Sequence, residues 1–196
     1  MRILAISDTE EDRLTTRAGL EALGPLDFIV SCGDLPATYL ETIVTLANVP
    51  LLYVPGNHDT SYAEHPPLGC TPIDGKLISC CGLRIVGLGG SLRYNDRVYG
   101  FTEQEMRWRM YKIALRAKWS GGADLMVTHA PPRGFGDLDD YPHRGFESFN
   151  VALDMLRPRL LVHGHVHMEY GRIERERDHP SGARLVNACG SRIIEF

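Results

Sequence analysis

"MRILAISDTE", residues 1–10, opens the chain with the apolar run Ile3, Leu4, Ala5 and Ile6 and leads straight into Asp8 and Glu10. An apolar run with little alternation reads as a short strand buried on both faces, as in a parallel sheet covered by helices. A buried strand ending in two carboxylates needs a reason. Ser-Asp-Thr-Glu is good turn and helix N-cap material. The same carboxylates also suit a metal, provided that partners come from elsewhere in the chain.

The plan then repeats. "DRLTTRAGLEAL" (12–23) sets Leu14, Ala18 and Leu20 to Leu23 on a helical stripe that Gly24-Pro25 stops. "DFIVSCGD" (27–34) is a second apolar strand, Phe28 to Cys32, ending at Gly33-Asp34; a helical stretch follows to about Ala47. "PLLYVPGNHD" (50–59) is a third strand, ending at Asn57, His58 and Asp59. Successive strand–loop–helix units imply parallel strands with right-handed crossovers. The carboxyl ends of such strands share one edge, where ligands bind, so Asp8, Asp34 and Asn57 are expected side by side.

Farther on, "GKLISCCGLRIVGLGG" (75–90) reads as a hairpin turning at Cys81-Gly82. Residues 102–119 read as a helix opened by the capping-box pair Thr102 and Glu105, with Met106, Met110, Ile113 and Ala117 on one face. "DLMVTH" (124–129) is a buried strand ending in His129. Residues 146–156 form a weaker helix, and "RLLVHGHVH" (159–167) is a strand ending in histidines. "YGRIERE" (170–176) and "ARLVNACGSRIIEF" (183–196) read as closing antiparallel strands.

Whole-chain totals bound the answer loosely. A length of 196 residues suits one domain, 1–196, and 43% apolar with 23% charged residues is ordinary for a soluble globular protein. A net charge of -4 gives no whole-molecule attraction to nucleic acid or anionic membrane. No secretory signal pattern or membrane-length apolar run occurs, so the expected setting is the cytoplasm, without a membrane partner. Cys32, Cys70, Cys80, Cys81 and Cys189 include no CxxC and are expected reduced.

Five apolar runs thus end in the same kinds of residue: Asp8 and Glu10; Asp34; Asn57 and His58; His129; His165 and His167. Carboxylate, amide oxygen and imidazole are the ligands of borderline divalent metals such as Mn, Fe and Zn. Gly33, Gly56 and Gly164 beside them are expected to let the backbone turn sharply. The ordered series D-x-E, GD, GNHD, TH, GHVH resembles the calcineurin-like metallophosphoesterase superfamily, whose pattern is D-x-H, GD, GNH-[D/E], a lone H and GH-x-H. The match runs from residue 8 to 167, and "VNACGS" (186–191) resembles the family's closing strand.

The resemblance implies a four-layer αββα sandwich, two mixed β-sheets flanked by helices, with a dinuclear centre. Asp8, Glu10, Asp34 and His167 would hold one metal and Asp34, Asn57, His129 and His165 the other, with Asp34 as the bridge. Such a pair can share a hydroxide and clamp a phosphoryl group, while His58 protonates or stabilises the leaving oxygen. Two departures stand out. Glu10 replaces a customary His, which makes its site more anionic and shifts the expected ions toward Mn or Fe, with Mg and Zn also compatible. Ala37 stands where the family's protein phosphatases carry an Asp that orients the catalytic His, leaving Asp59 or a backbone carbonyl to orient His58.

Around this set, His163 is expected in a core or supporting role, and His65 and His179 at the surface. Arg133, His143 and Arg144 are candidates for substrate contact. The basic, aromatic helix carrying Arg107, Trp108, Arg109, Lys112, Arg116, Lys118 and Trp119 reads as a solvated face more readily than as a nucleic-acid track. The expected function is metal-dependent hydrolysis of phosphodiesters on a small phosphoester substrate. A phosphomonoesterase or nucleotidase on the same site, a scaffold of the same fold binding a partner protein, and a nuclease are the alternatives. A homo-oligomer would require an exposed sheet edge or apolar patch.

Overall fold

The computed structural model describes all residues except Asn95, Arg97 and Arg172. The opening strand, β1 (Arg2–Ser7), pairs in parallel with β2 (Phe28–Ser31), which pairs with β3 (Leu51–Tyr53) and then β4 (Thr71–Pro72). A second sheet begins with the antiparallel hairpin β5 (Lys76–Cys80) and β6 (Leu83–Leu88). The short β7 (Ser91–Leu92) and β8 (Gly100–Phe101) form a separate ribbon. The second sheet continues through β9 (Leu125–Thr128), β10 (Leu160–His163), β11 (Glu176–Asp178) and β12 (Arg184–Asn187), in the order β11-β12-β10-β9-β6-β5. The last strand, β13 (Gly190–Glu195), returns to the first sheet beside β1, giving the order β13-β1-β2-β3-β4.

Alternation along these strands builds three cores. Ile3, Ala5, Phe28 and Val30 point inward and meet Ile85, Leu125, Val127 and Val162 of the second sheet. Leu4, Ile6, Ile29 and Leu51 point outward, where Leu40 and Ile43 of α2 (Ala37–Ala47) cover them; α1 (Arg17–Glu21) adds Leu20. On the far side, Val86, Met126 and Leu161 are covered by Met106, Met110 and Ile113 of α3 (Glu103–Trp119) and by Phe149 and Leu153 of α4 (Glu147–Leu156). Helix, sheet, sheet and helix stack as four layers, each sheet apolar on both faces.

Caps explain where the helices start. Thr102 and Glu105 form the expected capping box on α3. Glu103 reaches across to accept the backbone N–H groups of Glu147 and Ser148, satisfying donors at the start of α4.

Three sequence expectations need correction. The stripe over 12–23 is broken into a 3-10 turn, Asp12–Thr15, and the short α1, because Thr16 adopts an extended backbone and caps α1 by accepting the Gly19 N–H. The stretch 170–176 is not a strand: Met168–Tyr170 is a 3-10 turn and β11 starts only at Glu176, while Arg172 lies outside the described residues. The stretch 183–196 is two strands rather than one. β12 pairs antiparallel with β11, as expected of the closing strands, and parallel with β10, whereas β13 runs antiparallel to β1, so the short link between β12 and β13 crosses from one sheet to the other.

Candidate metal centre

The carboxyl ends of β1, β2 and β3 in one sheet and of β9 and β10 in the other carry the polar residues that the sequence singles out. Ile6 pairs with Ser31 and Ser31 with Tyr53, so the three strands of the first sheet stop nearly level. Asp8, Asp34, Asn57, His129 and His165 follow those stops directly.

Backbone conformation marks the same place. Among the described residues, Asp8, Asp34, Asn48, Cys81, Arg157 and His165 are the non-glycines with positive φ. Asn48 and Arg157 are helix C-caps, and Cys81 turns the β5–β6 hairpin. Asp8 (φ 64°), Asp34 (φ 56°) and His165 (φ 69°) have no such excuse. Left-handed backbone in an ordinary side-chain residue is unfavourable and persists where surrounding structure imposes it, characteristically at functional sites.

The imposing contacts are visible. Asp8 receives the backbone N–H of His165 on both carboxylate oxygens at 3.0 Å, tying β1 to β10 across the two sheets. Asp34 accepts the His58 N–H through Oδ1 at 2.7 Å. Asp59 accepts the N–H groups of Asp34 and Gly56 through Oδ2, both at 2.7 Å, and so clasps the β2 and β3 loops. Gly33 has the positive φ expected of a turn glycine, 96°. Gly56 and Gly164 do not; they are glycines for lack of room. A Cβ on Gly56 would collide with Asp34 Oδ1, and one on Gly164 with Ser7 Oγ and Asp8 Oδ2.

Inside this frame lone pairs converge. His129 Nδ1 lies 2.7 Å from the Cys32 carbonyl, which can only accept, so Nδ1 carries the hydrogen. Its Nε2 then faces Asn57 Oδ1 at 3.0 Å and Asp34 Oδ2 at 3.4 Å. The Asn57 amide nitrogen donates to the Tyr94 hydroxyl, which fixes the amide with its oxygen inward. His165 Nε2 donates to the Pro142 carbonyl at 2.8 Å, leaving Nδ1 as its lone pair. Among the described residues, Asp34, His129 and His165 form a group of carboxylate and imidazole side chains close enough to share a metal, their ligand atoms lying within 4.8 Å of one another. Three or four acceptors turned toward one buried point are mutually unfavourable unless a cation or a proton sits among them.

Electrostatics carry the same strain. Burial pushes the His129 imidazole toward neutrality, but the facing Asp34 charge and hydrogen bond outweigh it and hold its pKa up at about 9. For Asp34, burial opposes ionisation, and His129 with the His58 N–H overcomes it, so the carboxylate stays charged well below the usual range. Asp8 is pushed up, first by burial and also by Asp34. Burial depresses His165 to about 3, so its ring is neutral and available as a ligand. Asp59 is raised to about 6, mainly by burial.

The other candidates lie at varying distance from this point. His167 Nε2 is 3.8 Å from Asp8 Oδ1, and Glu10 is exposed to solvent. His58 is more than half exposed, with Nε2 4.0 Å from Asp34 Oδ2. His143 is paired with Asp140 at 2.6 Å, its ring packed beside His165 and Tyr170. Arg133 is bound to Asp137 at 2.6 Å and Asp139 at 3.3 Å, and Arg144 donates to the Asp139 carbonyl beside the Tyr141 ring. His163 is buried with its pKa lowered to about 4 by burial, in keeping with a core role, and His65 is exposed. His179 reverses the surface expectation: it is buried, edge-on to Phe135 at 4.5 Å, with Ser181 on Nδ1. A cavity of about 340 Å³ opens beside His167, between Thr9, Glu11, Arg175 and Cys189.

Sequence reasoning missed the groups that aim the ligands. The carbonyls of Cys32 and Pro142 set the two histidine tautomers, and Tyr94 sets the Asn57 amide. The first two are backbone atoms and leave no signature in residue identity.

Comparison with known proteins agrees with this geometry. The model of the calcineurin-like phosphoesterase superfamily domain matches residues 1–191. The UPF0046 protein T07D4.2 of Caenorhabditis elegans is 37% identical over 104 residues, 50% of this chain and 24% of that protein. Human metallophosphoesterase domain-containing protein 1 is 39% identical over 66 residues, 30% of this chain and 20% of its own. The aligned segments thus span a quarter or less of those relatives' length. TT1561 of Thermus thermophilus superposes with a TM-score of 0.64 at 16% identity, covering 96% of this chain and 89% of that one, a likeness of fold. With its motifs, its two facing sheets and a family match over nearly its whole length, the chain belongs to the calcineurin-like phosphoesterase superfamily.

Proposed function

We propose that the chain hydrolyses phosphodiesters with the help of two divalent ions. The observation that carries this reading is the convergence of Asp34 Oδ2, Asn57 Oδ1 and His129 Nε2 on one buried point, with the His165 ring beside it. That donor set suits a divalent cation, which would take the place of the proton that His129 Nε2 carries between Asp34 and Asn57 and would add the His165 lone pair. Asp34, Asn57, His129 and His165 would hold one ion. Asp8, His167 and the shared Asp34 would hold the other, and Glu10 would join it only by turning inward. Mn or Fe(II) suits the mixed oxygen and nitrogen donors, and Asp8 makes the second position the harder of the two. Bound there, such ions supply Lewis-acid charge that activates water near neutral pH and neutralises phosphoryl oxygens.

The chain's own groups do the rest. His58, anchored through its N–H to Asp34 and open to solvent at the ring, is placed to protonate a departing oxygen. Asp59 fixes the loops that carry Asp34 and Asn57, which keeps His58 at a set height over the centre. The preference for diesters is supported by Arg133. A monoester dianion needs cations free to grip it, whereas Arg133 is already matched by Asp137 and Asp139.

The test is hydrolysis of a chromogenic phosphodiester and the corresponding monoester by metal-stripped protein, with Mn, Fe(II), Mg or Zn restored singly. Metal-dependent turnover of the diester above the monoester is expected, with a loss of about 10²–10⁴ in rate for His58→Ala. Faster monoester turnover would instead assign a phosphomonoesterase. No turnover from folded, metal-loaded protein would leave a scaffold that binds a partner over the old site.

A further inference from the structure

Helix α3 has two apolar faces. Met106, Met110, Ile113, Ala114 and Ala117 are buried against the second sheet and α4. On the opposite side Trp108, Tyr111, Leu115 and Trp119 are 63%, 42%, 59% and 87% exposed. Steps of three and four residues align them in one stripe, roughly 16 Å long at the α-helical rise. Val98, 60% exposed, extends the patch across a depression that it shares with Trp108. The chain has 2 tryptophans, and both stand on this stripe.

Cations border it on both sides. By helical position Arg107 and Lys118 flank one edge, Lys112 and Arg116 the other. Among the described residues none of the four is joined to a carboxylate, whereas Arg109 is bound to Asp74 and stacked on Phe101. A second copy presenting the same face would bring these cations together. A nucleic-acid strand needs a groove that tracks its backbone past the stacking platforms, whereas here the aromatics stand on a convex helix and are interrupted by Leu115. A flat anionic surface accepts the whole arrangement: aromatic and leucine side chains enter the headgroup boundary, while the flanking Lys and Arg chains extend to lipid phosphates.

We infer that α3 docks the protein on the surface of a bilayer that contains anionic phospholipid. The overall charge of -4 hides this, because it averages the local cationic border with acidic residues elsewhere. Nor is a membrane span involved: no helix among the described residues is long and apolar enough to cross one. The docking residues lie on the solvent side of α3, which covers the second sheet, and are separate from those at the strand ends.

Because both tryptophans lie on the stripe, their emission reports the event directly. Vesicles of phosphatidylcholine with phosphatidylserine should shift the emission to the blue and sediment the protein, an effect that high salt reverses; phosphatidylcholine alone should do neither. Replacing Lys112→Gln and Arg116→Gln together should weaken binding about thirtyfold, and Trp108→Ser with Leu115→Ser should abolish sedimentation, both with unchanged circular dichroism. The inference is overturned by no shift with anionic vesicles from folded wild-type protein, or by a shift with a single-stranded oligonucleotide but not with vesicles. It is equally overturned if light scattering finds a dimer that Trp108→Ser dissociates and no vesicle binding accompanies it.

Discussion

His129 sets the pH at which the centre is ready for a cation. Its Nδ1–H is committed to the Cys32 carbonyl, so the only place for a second proton is Nε2, the atom that faces Asp34 and Asn57. With its pKa held at about 9, the metal-free protein carries that proton at neutral pH. The sign follows from linkage. A histidine whose folded pKa lies above its unfolded 6.5 contributes stability that is full below 6.5 and is lost as pH rises through about 9. A metal at Nε2 must displace the same proton, so apparent affinity should climb about tenfold per pH unit up to the His129 pKa and then level off. Calorimetric titration with Mn in two buffers of different ionisation enthalpy reads both quantities: release of about one proton near pH 7, and none well above pH 9. A pH-independent affinity with no proton release would mean that His129 is not the protonated partner of Asp34.

At the scale of elements, the centre depends on how closely β1 and the β10 loop approach. Gly164 sits with no space for a side chain: an added Cβ meets Ser7 Oγ and, at 2.5 Å, Asp8 Oδ2. Gly164→Ala should therefore push the loop outward, weaken the His165 N–H contacts to Asp8 and lower stability by about 1–3 kcal/mol, with metal affinity falling in parallel. Phe149→Ala, in the core beneath α4, should lower stability by about 3–5 kcal/mol and leave the metal affinity of the folded fraction intact. Urea unfolding and metal titration of the two variants separate the cases; equal metal affinity in Gly164→Ala and wild type would refute the packing account. The strands and their ends were legible because parallel strands buried on both faces are written as apolar runs, and the polar residue after each run stands out. The solvent exposure of Glu10 was not legible. Its place follows from the left-handed turn at Asp8, which sends the next residues into solvent. The burial of His179 was equally hidden, since it comes from Phe135, more than forty positions away in the chain. Nor could apolar pattern say that β12 and β13 belong to different sheets, because pairing partners are chosen in three dimensions.

For the molecule as a whole, the centre is a junction between its two halves. Asp34 and Asn57 come from the first sheet and His129 and His165 from the second, and the same two sheets meet through the apolar layer that runs from Ile3 to Ile194. Without a cation this edge is held by hydrogen bonds, the His165 N–H to Asp8 and His129 to the Cys32 carbonyl and Asn57 Oδ1, and by the charged pair of Asp34 with His129. A bound ion joins ligands of both sheets and favours only the folded state, so it should stabilise by mass action, about 2.7 kcal/mol at a hundredfold excess over Kd. For a chain of this length that corresponds to a rise in Tm of roughly 5–10 °C. Thermal unfolding in chelator and in saturating Mn measures it, and His129→Ala should remove most of the rise. If the melting temperature is the same in chelator and in Mn, the strand ends do not bind the ion in the folded protein. A rise that His129→Ala leaves untouched would move the binding site away from the seam between the sheets.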